Sequence, residues 1–352
     1  MKKVMILAAA LAVLFALTGC KGKKAAESSE KITVGVMNIS MESEYWASLA
    51  KGAELFAQSK GLGYVVMSGD TPQKQIDNVE SFINQYGSNG IIFLDPNNAS
   101  VTPAVVEMCE EAGVKLSIYT TLEKGLYPTD FENFVLFLAN DNVEFGYQAC
   151  VDLFKSIGGK GKVAELYGIP GNDAAAERNI GMKRALDEFP EIELVDSQIA
   201  NYLGSEGMVV MENWIAKYGD ELKAVFCHSD GMAVGAAEAL KNAGMVGKIN
   251  ICGFDGTKAA FECIKDGSMY STMFQDGYAV GGYGAAYAWA AKTGKLDVKT
   301  MDQKKRMFFS VVKLVTAANV DEMIATYVDS VPTYDFDNLD FPIVGIIPNP
   351  KL

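Results

Sequence analysis

Beyond Lys31, short apolar runs alternate with longer amphipathic ones, and the alternation comes in two consecutive series. That rhythm constrains the fold more than any other feature. Strands are predicted at Ile32–Met37, Tyr64–Met67, Ile91–Leu94 and Lys115–Tyr119, with helices at Trp46–Lys60, Gln73–Gln85 and Val101–Ala112 between them. Gly61, Gly63, Gly90 and Gly113 fall just past helix ends, where glycine closes a helix at least cost. Strand-helix-strand at this spacing implies parallel βαβ units with both faces of the sheet covered.

The rhythm restarts after Asn140-Asp141-Asn142. Helices are predicted at 143–157, 174–188, 206–218, 231–243 and 257–266, with strands at 162–166, 193–199, 224–227 and 250–253. A further strand reaches Gln275, a small-residue helix covers Gly281–Ala291, and a strand covers Met307–Val315. Two such series give an α/β protein of two doubly wound parallel-sheet lobes. Ligands of these sheets sit beyond the carboxyl ends of the strands. The loops of interest are therefore 38–45, 68–71, 95–98, 119–121, 167–173, 200–205, 228–231 and 254–256, which are rich in Asn, Asp, Ser, Thr and aromatic residues.

The first thirty residues read differently. Lys2 and Lys3 precede the apolar run Val4–Leu17 and then Thr18-Gly19-Cys20. A positive end, a short apolar core and small residues before a cysteine describe a signal peptide over 1–20. The segment resembles a bacterial lipobox, which implies acylation of Cys20 and attachment to a membrane through lipid. Residues 21–30 (KGKKAAESSE) are polar and small, as befits a tether.

Composition narrows the partners. The chain carries 44 acidic against 31 basic residues, a net charge of −13. Phosphate contacts need Lys and Arg, so a nucleic-acid partner is not expected. Cys109, Cys150, Cys227, Cys252 and Cys263 show no Cys-x-x-Cys or Cys/His spacing, so no metal is expected; most read as small core residues, and a single disulfide stays open. No Gly-x-Gly-x-x-Gly follows the first strand, and no Gly-x-Ser-x-Gly or His-Glu-x-x-His occurs. The sole histidine, His228, reads as an ordinary loop residue, and neither a catalytic residue nor a cofactor is assigned.

Four segments in order carry a family resemblance. They are Ser43-Glu44-Tyr45-Trp46-Ala47-Ser48-Leu49, the glycine-containing 168–178 ending in Glu177-Arg178, Ala224–Ala236 with His228-Ser229-Asp230-Gly231-Met232-Ala233, and Cys252-Gly253-Phe254-Asp255-Gly256-Thr257. With them, the chain from about Lys31 to Ala317 resembles the periplasmic binding proteins of the ribose and galactose group, receptors of sugar ABC importers. The resemblance implies a periplasmic binding protein-like I fold with a three-segment hinge. It implies a first lobe of 31–140 plus 276–310 and a second of 141–275 plus 311–352, with 319–327 capping the second. It further implies a monomer in the cell envelope that closes on a small ligand of the sugar class and delivers it to an importer permease. Ser43, Tyr45, Trp46, Tyr119, Asn172, Arg178, Tyr202, Ser229, Asp255 and Gln275 are carried over as ligand contacts.

The chemistry of these residues agrees. Aromatic rings cover the C–H faces of a sugar ring, while a guanidinium fork and a carboxylate meet its hydroxyls. Ribose receptors place an acid and an arginine after the fourth strand where this chain has Tyr119-Thr120, and an amide where it has Ser229. The ligand therefore extends to other pentoses, hexoses, polyols or nucleosides. A chemoreceptor or signalling role for the same binding stays open. A sugar-responsive repressor needs an N-terminal DNA-reading helix-turn-helix, and a signal segment occupies that place here.

Overall fold

The two predicted series become two sheets, each built on near-continuous apolar strands. The computed structural model describes residues 31–330 and 332–352. The signal segment, the tether and Cys20 lie outside the described residues. In the first series β1 (Thr33–Asn38), β2 (Gly63–Ser68), β3 (Gly90–Leu94), β4 (Lys115–Tyr119) and β5 (Phe134–Ala139) alternate with α1 (Glu44–Ser59), α2 (Pro72–Tyr86) and α3 (Val101–Ala112). In the second, α4 (Asn142–Ser156), β6 (Lys160–Tyr167), α5 (Asp173–Glu188), β7 (Glu191–Ile199), α6 (Gly204–Tyr218) and β8 (Leu222–Cys227) follow. It continues with α7 (Asp230–Ala243), β9 (Asn250–Asp255), α8 (Lys258–Asp266) and β10 (Ser271–Gln275). The remaining elements are α9 (Gly277–Lys292), β11 (Met307–Ser310), β12 (Val312–Thr316), α10 (Val320–Tyr327) and β13 (Ile343–Ile346).

The first sheet has the order β2-β1-β3-β4-β5-β11-β13 and the second β7-β6-β8-β9-β10-β12. Within each sheet the pairs are parallel, save the edge strands β13 and β12, which run antiparallel to β11 and β10. Helices on both faces bury strands such as Ile91–Leu94 and Val225–Cys227 completely. The result is the two-lobe periplasmic binding protein type I architecture.

Three short segments join the lobes: Asn140-Asp141 after β5, Asp276 after β10, and Val311 between β11 and β12. Two of these linkers also start helices. Asp141 accepts from the Glu144 amide and Asp276 from the Ala279 amide, so each crossing ends in a capped N-terminus. α9 packs along α1 closely enough that a Cβ at Gly281 would overlap the Leu49 carbonyl.

The structure departs from the sequence expectations in three places. β5 is a full strand that the predicted series did not contain. The single strand predicted over Met307–Val315 is two, β11 and β12, one in each sheet. Residues 311–352 do not all join the second lobe: β12 and α10 do, but β13 pairs with β11 in the first sheet. Aromatic anchors explain that return. Phe336 packs edge-on against Phe56 and Tyr283, with ring centroids 5.6 and 5.3 Å apart, and Phe341 lies 5.2 Å from Tyr283.

All five described cysteines are free and buried. Among the described residues no helix is long and apolar enough to cross a membrane.

Candidate functional site

The first-lobe wall is set by the start of α1. Ser43 caps the helix, its hydroxyl accepting the Tyr45 amide at 3.2 Å, which turns Tyr45 and Trp46 inward. Asn38, at the end of β1, donates to the Trp46 carbonyl at 2.8 Å and ties that turn to the sheet. Both rings are 7% exposed. Tyr119, at the end of β4, stacks on Phe93 at a centroid distance of 6.4 Å and meets the Tyr45 hydroxyl at 2.6 Å.

Arg178 organises the second-lobe wall. It lies in the second turn of α5, buried and without a carboxylate partner among the described residues. Its Nε donates to Asn142 Oδ1 at 3.0 Å, its Nη1 donates to the His228 carbonyl, and its guanidinium carbon sits 3.6 Å from the Phe254 ring centre. Three constraints hold the fork in one plane and leave the remaining N–H groups free to act as donors. Tyr202 packs its ring over Gly168, where any Cβ would collide, and donates to Asn172 Oδ1 at 3.0 Å. Trp46 meets Tyr202 edge-to-face at 6.4 Å, so one aromatic from each lobe touches the other.

Asp255 ends β9. Its neighbouring turn is clamped by the buried Asp230, whose carboxylate accepts from the Gly256 and Thr257 amides at 2.7 Å and from Thr272 Oγ1 at 2.6 Å. Burial raises the Asp230 carboxyl to about 6 against these hydrogen bonds. Asp255 itself is driven well above the usual carboxylate range, by burial first and then by the Asp230 charge.

Gln275 bridges the two walls at the hinge. Its Nε2 donates to Asp255 Oδ1 at 2.9 Å, and its Oε1 accepts from Tyr119 Oη at 2.9 Å and from Asn140. Asn140 also donates to Tyr119 Oη at 2.9 Å. The polar belt Tyr45–Tyr119–Gln275–Asp255 thus runs from first lobe to second through a residue beside a linker.

These walls enclose a cavity of about 40 Å³. The two walls lie close together across it. Direct contacts hold them together: Asn172 Nδ2 donates to Thr121 Oγ1 at 3.1 Å, the Leu122 amide to Asp173 at 3.0 Å, and the Ala99 amide to the Gly171 carbonyl at 3.3 Å. Backbone strain gathers here as well. Four non-glycine residues have positive φ among the described residues, and three of them, Thr120 (62°), Tyr202 (63°) and Asp255 (135°), line the cavity. Such conformations cost energy and persist where the surroundings impose them, commonly at binding sites.

All ten residues carried over from the sequence line this one cavity. Ile39, Asp95, Thr120 and Ala174 line it too and were not singled out, although Asp95 and Thr120 fall in the post-strand loops that sequence reasoning marked. His228 differs from expectation. It is fully buried, its Nε2 lies 2.9 Å from Glu165 Oε1, its Nδ1 accepts the Gly168 amide at 3.4 Å, and burial lowers its pKa. Its ring is structural and its carbonyl positions Arg178. Glu165, inside β6, gave no signal in the sequence that it was the partner. Among the described residues no cluster of His, Cys, Asp and Glu could hold a metal ion.

Comparison with known proteins agrees with this fold. The model of the periplasmic binding protein domain family matches residues 34–296. The ribose import binding protein of Bacillus subtilis is 31% identical over 297 residues, covering 82% of this chain and 93% of the relative. A crystal structure of a twin-arginine translocation pathway signal protein from Burkholderia phytofirmans superposes with a TM-score of 0.88 at 32% identity, covering 91% of this chain and 99% of that one. An ABC transporter solute-binding protein from Bacillus halodurans, solved with bound myo-inositol, gives a TM-score of 0.74 at 26% identity, covering 86% and 100%.

Proposed function

We propose, from the premise that the chain belongs to the periplasmic binding protein domain family, that it captures a monosaccharide or similar polyol for an ABC importer. Membership makes it an extracytoplasmic solute-binding protein and not an enzyme. The ligand assignment rests chiefly on one observation: aromatic rings from both lobes, the Arg178 fork and the Asp255 carboxylate converge on a single cavity astride the hinge. Tyr45, Trp46 and Tyr202 supply apolar faces, Arg178 donates to ring hydroxyls or the ring oxygen, and Asp255 and Asn172 accept or donate at the edge. Ser43, Tyr119, Ser229 and Gln275 complete the contact set. The ribose and myo-inositol in the names of its relatives have the same chemistry, a compact frame ringed by hydroxyls.

Closure around the ligand then presents the permease with a surface that the open form lacks. Cys20, acylated, would tether the domain to the membrane through residues 21–30; a Cys20→Ser chain that still partitioned into detergent as wild type does would rule that anchor out.

The test of the binding role is a thermal-shift screen over pentoses, hexoses, polyols and nucleosides. A ligand at a hundred times its dissociation constant stabilises by about 2.7 kcal/mol, worth several degrees for a domain of this size. Stabilisation by sugars or polyols is the expected result. No shift with any sugar or polyol, confirmed by calorimetry, would overturn the assignment.

A further inference from the structure

Beyond α10 the chain crosses between the lobes once more, in a stretch past the end of the family match at residue 296. On the second-lobe side it is held as far as Ser330. The Tyr327 ring packs on Phe274 of β10 with centroids 4.3 Å apart, and the Val328 and Asp329 amides donate to the Ile324 carbonyl at 2.9 Å. Ser330 Oγ donates to the Ala325 carbonyl at 3.1 Å. On the first-lobe side the chain is held from Tyr334 onward. The Tyr334 ring stacks on Phe336 at 5.7 Å, and Phe336 lies so close to α9 that a Cβ at Gly282 would overlap its ring. Tyr283 Oη of α9 donates to the Asp335 carbonyl at 3.2 Å, Tyr287 Oη to the Leu339 carbonyl at 2.6 Å, and Lys60 pairs with Asp337 at 2.7 Å.

From Ser330 to Tyr334 the chain can reach at most about 14 Å when fully extended. The crossing is also tied to the hinge itself. Tyr334 Oη donates to the carboxylate of Asp276, 2.9 and 3.0 Å from its two oxygens, and Asp276 is the linker that caps α9. It directly follows Gln275, which bridges the cavity walls. A short connection fixed at both ends beside a linker can bend with the hinge but cannot lengthen, so it opposes wide opening and the twisting of one lobe on the other. With fewer open arrangements to give up, closure on a ligand costs less. Resting on the binding role proposed above, we propose that the crossing from Ser330 to Tyr334 is a fourth hinge strand that limits how far the lobes part and so raises affinity. Tyr334 is the positioning residue that couples it to Asp276.

Inserting Gly-Ser-Gly-Ser between Pro332 and Thr333 tests this, because it lengthens the crossing by up to about 14 Å and leaves both anchors in place. Lengthening a loop in itself costs little stability. The same insertion between Gly247 and Lys248, in an exposed loop of the second lobe, is the control. Small-angle scattering gives the ligand-free and ligand-bound radii, and calorimetry gives affinity, with D-ribose, xylitol, myo-inositol and D-allose as probes. The crossing insertion should enlarge the ligand-free radius, keep the bound radius, and weaken the best probe roughly three- to tenfold, with a melting temperature close to the control's. Tyr334→Phe keeps the stack on Phe336 and drops the hydrogen bond to Asp276; it should move radius and affinity the same way by less, and no change would overturn the coupling through Asp276. A merely structural segment would lower the melting temperature and leave the ligand-free radius alone. A ligand-free radius equal to the control's, or affinity within twofold of it, would overturn the inference and leave the binding role standing. Were no probe to bind wild type, the binding role would fall, and the ligand-free radii would still decide whether the crossing limits opening.

Discussion

Arg178→Ala offers the sharpest test of how the site works. In the folded chain the guanidinium spends its Nε–H on Asn142 Oδ1 and one Nη1–H on the His228 carbonyl, which leaves three of its five donors. Two of these reaching ligand hydroxyls as charged hydrogen bonds contribute about 1.5–3 kcal/mol each before the cost of ordering. Net loss on truncation should be roughly 2–4 kcal/mol, about 30- to 1000-fold in dissociation constant. The same change strips partners from Asn142 and the His228 carbonyl and removes the cation from the Phe254 face, worth about 0.5–2 kcal/mol. Against this, it relieves a buried charge that has no carboxylate partner. Stability should therefore move much less than affinity. Isothermal titration of the best ligand, well below each variant's melting temperature, separates the two effects. Arg178→Lys keeps the charge but not the planar fork, and should fall between wild type and alanine. A folded Arg178→Ala protein that binds within threefold of wild type would refute the reasoning.

Three further outcomes are expected. Ligand should shrink the radius of gyration in small-angle scattering, because the form with the lobes in direct contact across the cavity is the one that ligand selects over an open form; an unchanged radius at saturation would count against hinge closure. Burial depresses the His228 pKa, so its neutral form stabilises the fold above pH 6.5 and that contribution is lost as pH falls; wild type should lose more melting temperature than His228→Gln between pH 7.5 and 5.5, and equal slopes would refute it. Gly281→Ala should cost about 1–3 kcal/mol by driving α9 off the Leu49 carbonyl of α1, read as a melting temperature several degrees lower with unchanged affinity; no change in melting would mean the helices do not pack this closely.

The two-lobe plan was legible because each half repeats the same physical signal, an apolar run followed by an amphipathic one. The elements that escaped notice lack that signal. β5 (Phe134–Ala139) comes after fourteen residues with no regular helix, so the strand-helix alternation offers no cue to it. Ile343–Ile346 is short, largely exposed and surrounded by Pro, Asp and Asn; what brings it to β11 is the burial of Phe336 and Phe341, and such distant packing leaves no periodic trace. Val311 sits inside a single stretch rich in β-forming residues, Met307–Val315. Only the two sheets decide that this residue is a linker and not the middle of a strand.

The site divides along the same line. Tyr45, Trp46, Arg178 and Asp255 stand out locally, each an aromatic or charged residue beyond the end of a strand or near the start of a helix. Asp95 begins an Asp-Pro turn, and turn chemistry alone is reason enough for an aspartate there. That its Oδ1 is buried without a hydrogen-bond partner is visible only in the folded cavity. His228 and Glu165 escape notice for the converse reason. They lie 63 residues apart, Glu165 in β6 and His228 just past the end of the neighbouring β8, and meet with their oxygen and nitrogen 2.9 Å apart, so neither reveals a partner from its own surroundings. Yet that pair fixes the segment whose carbonyl holds the Arg178 fork, and Asp230 does the same for the turn carrying Asp255. The residues that line the cavity are thus legible one by one, while those that hold them in place are legible only as pairs, and a pair is a property of the fold.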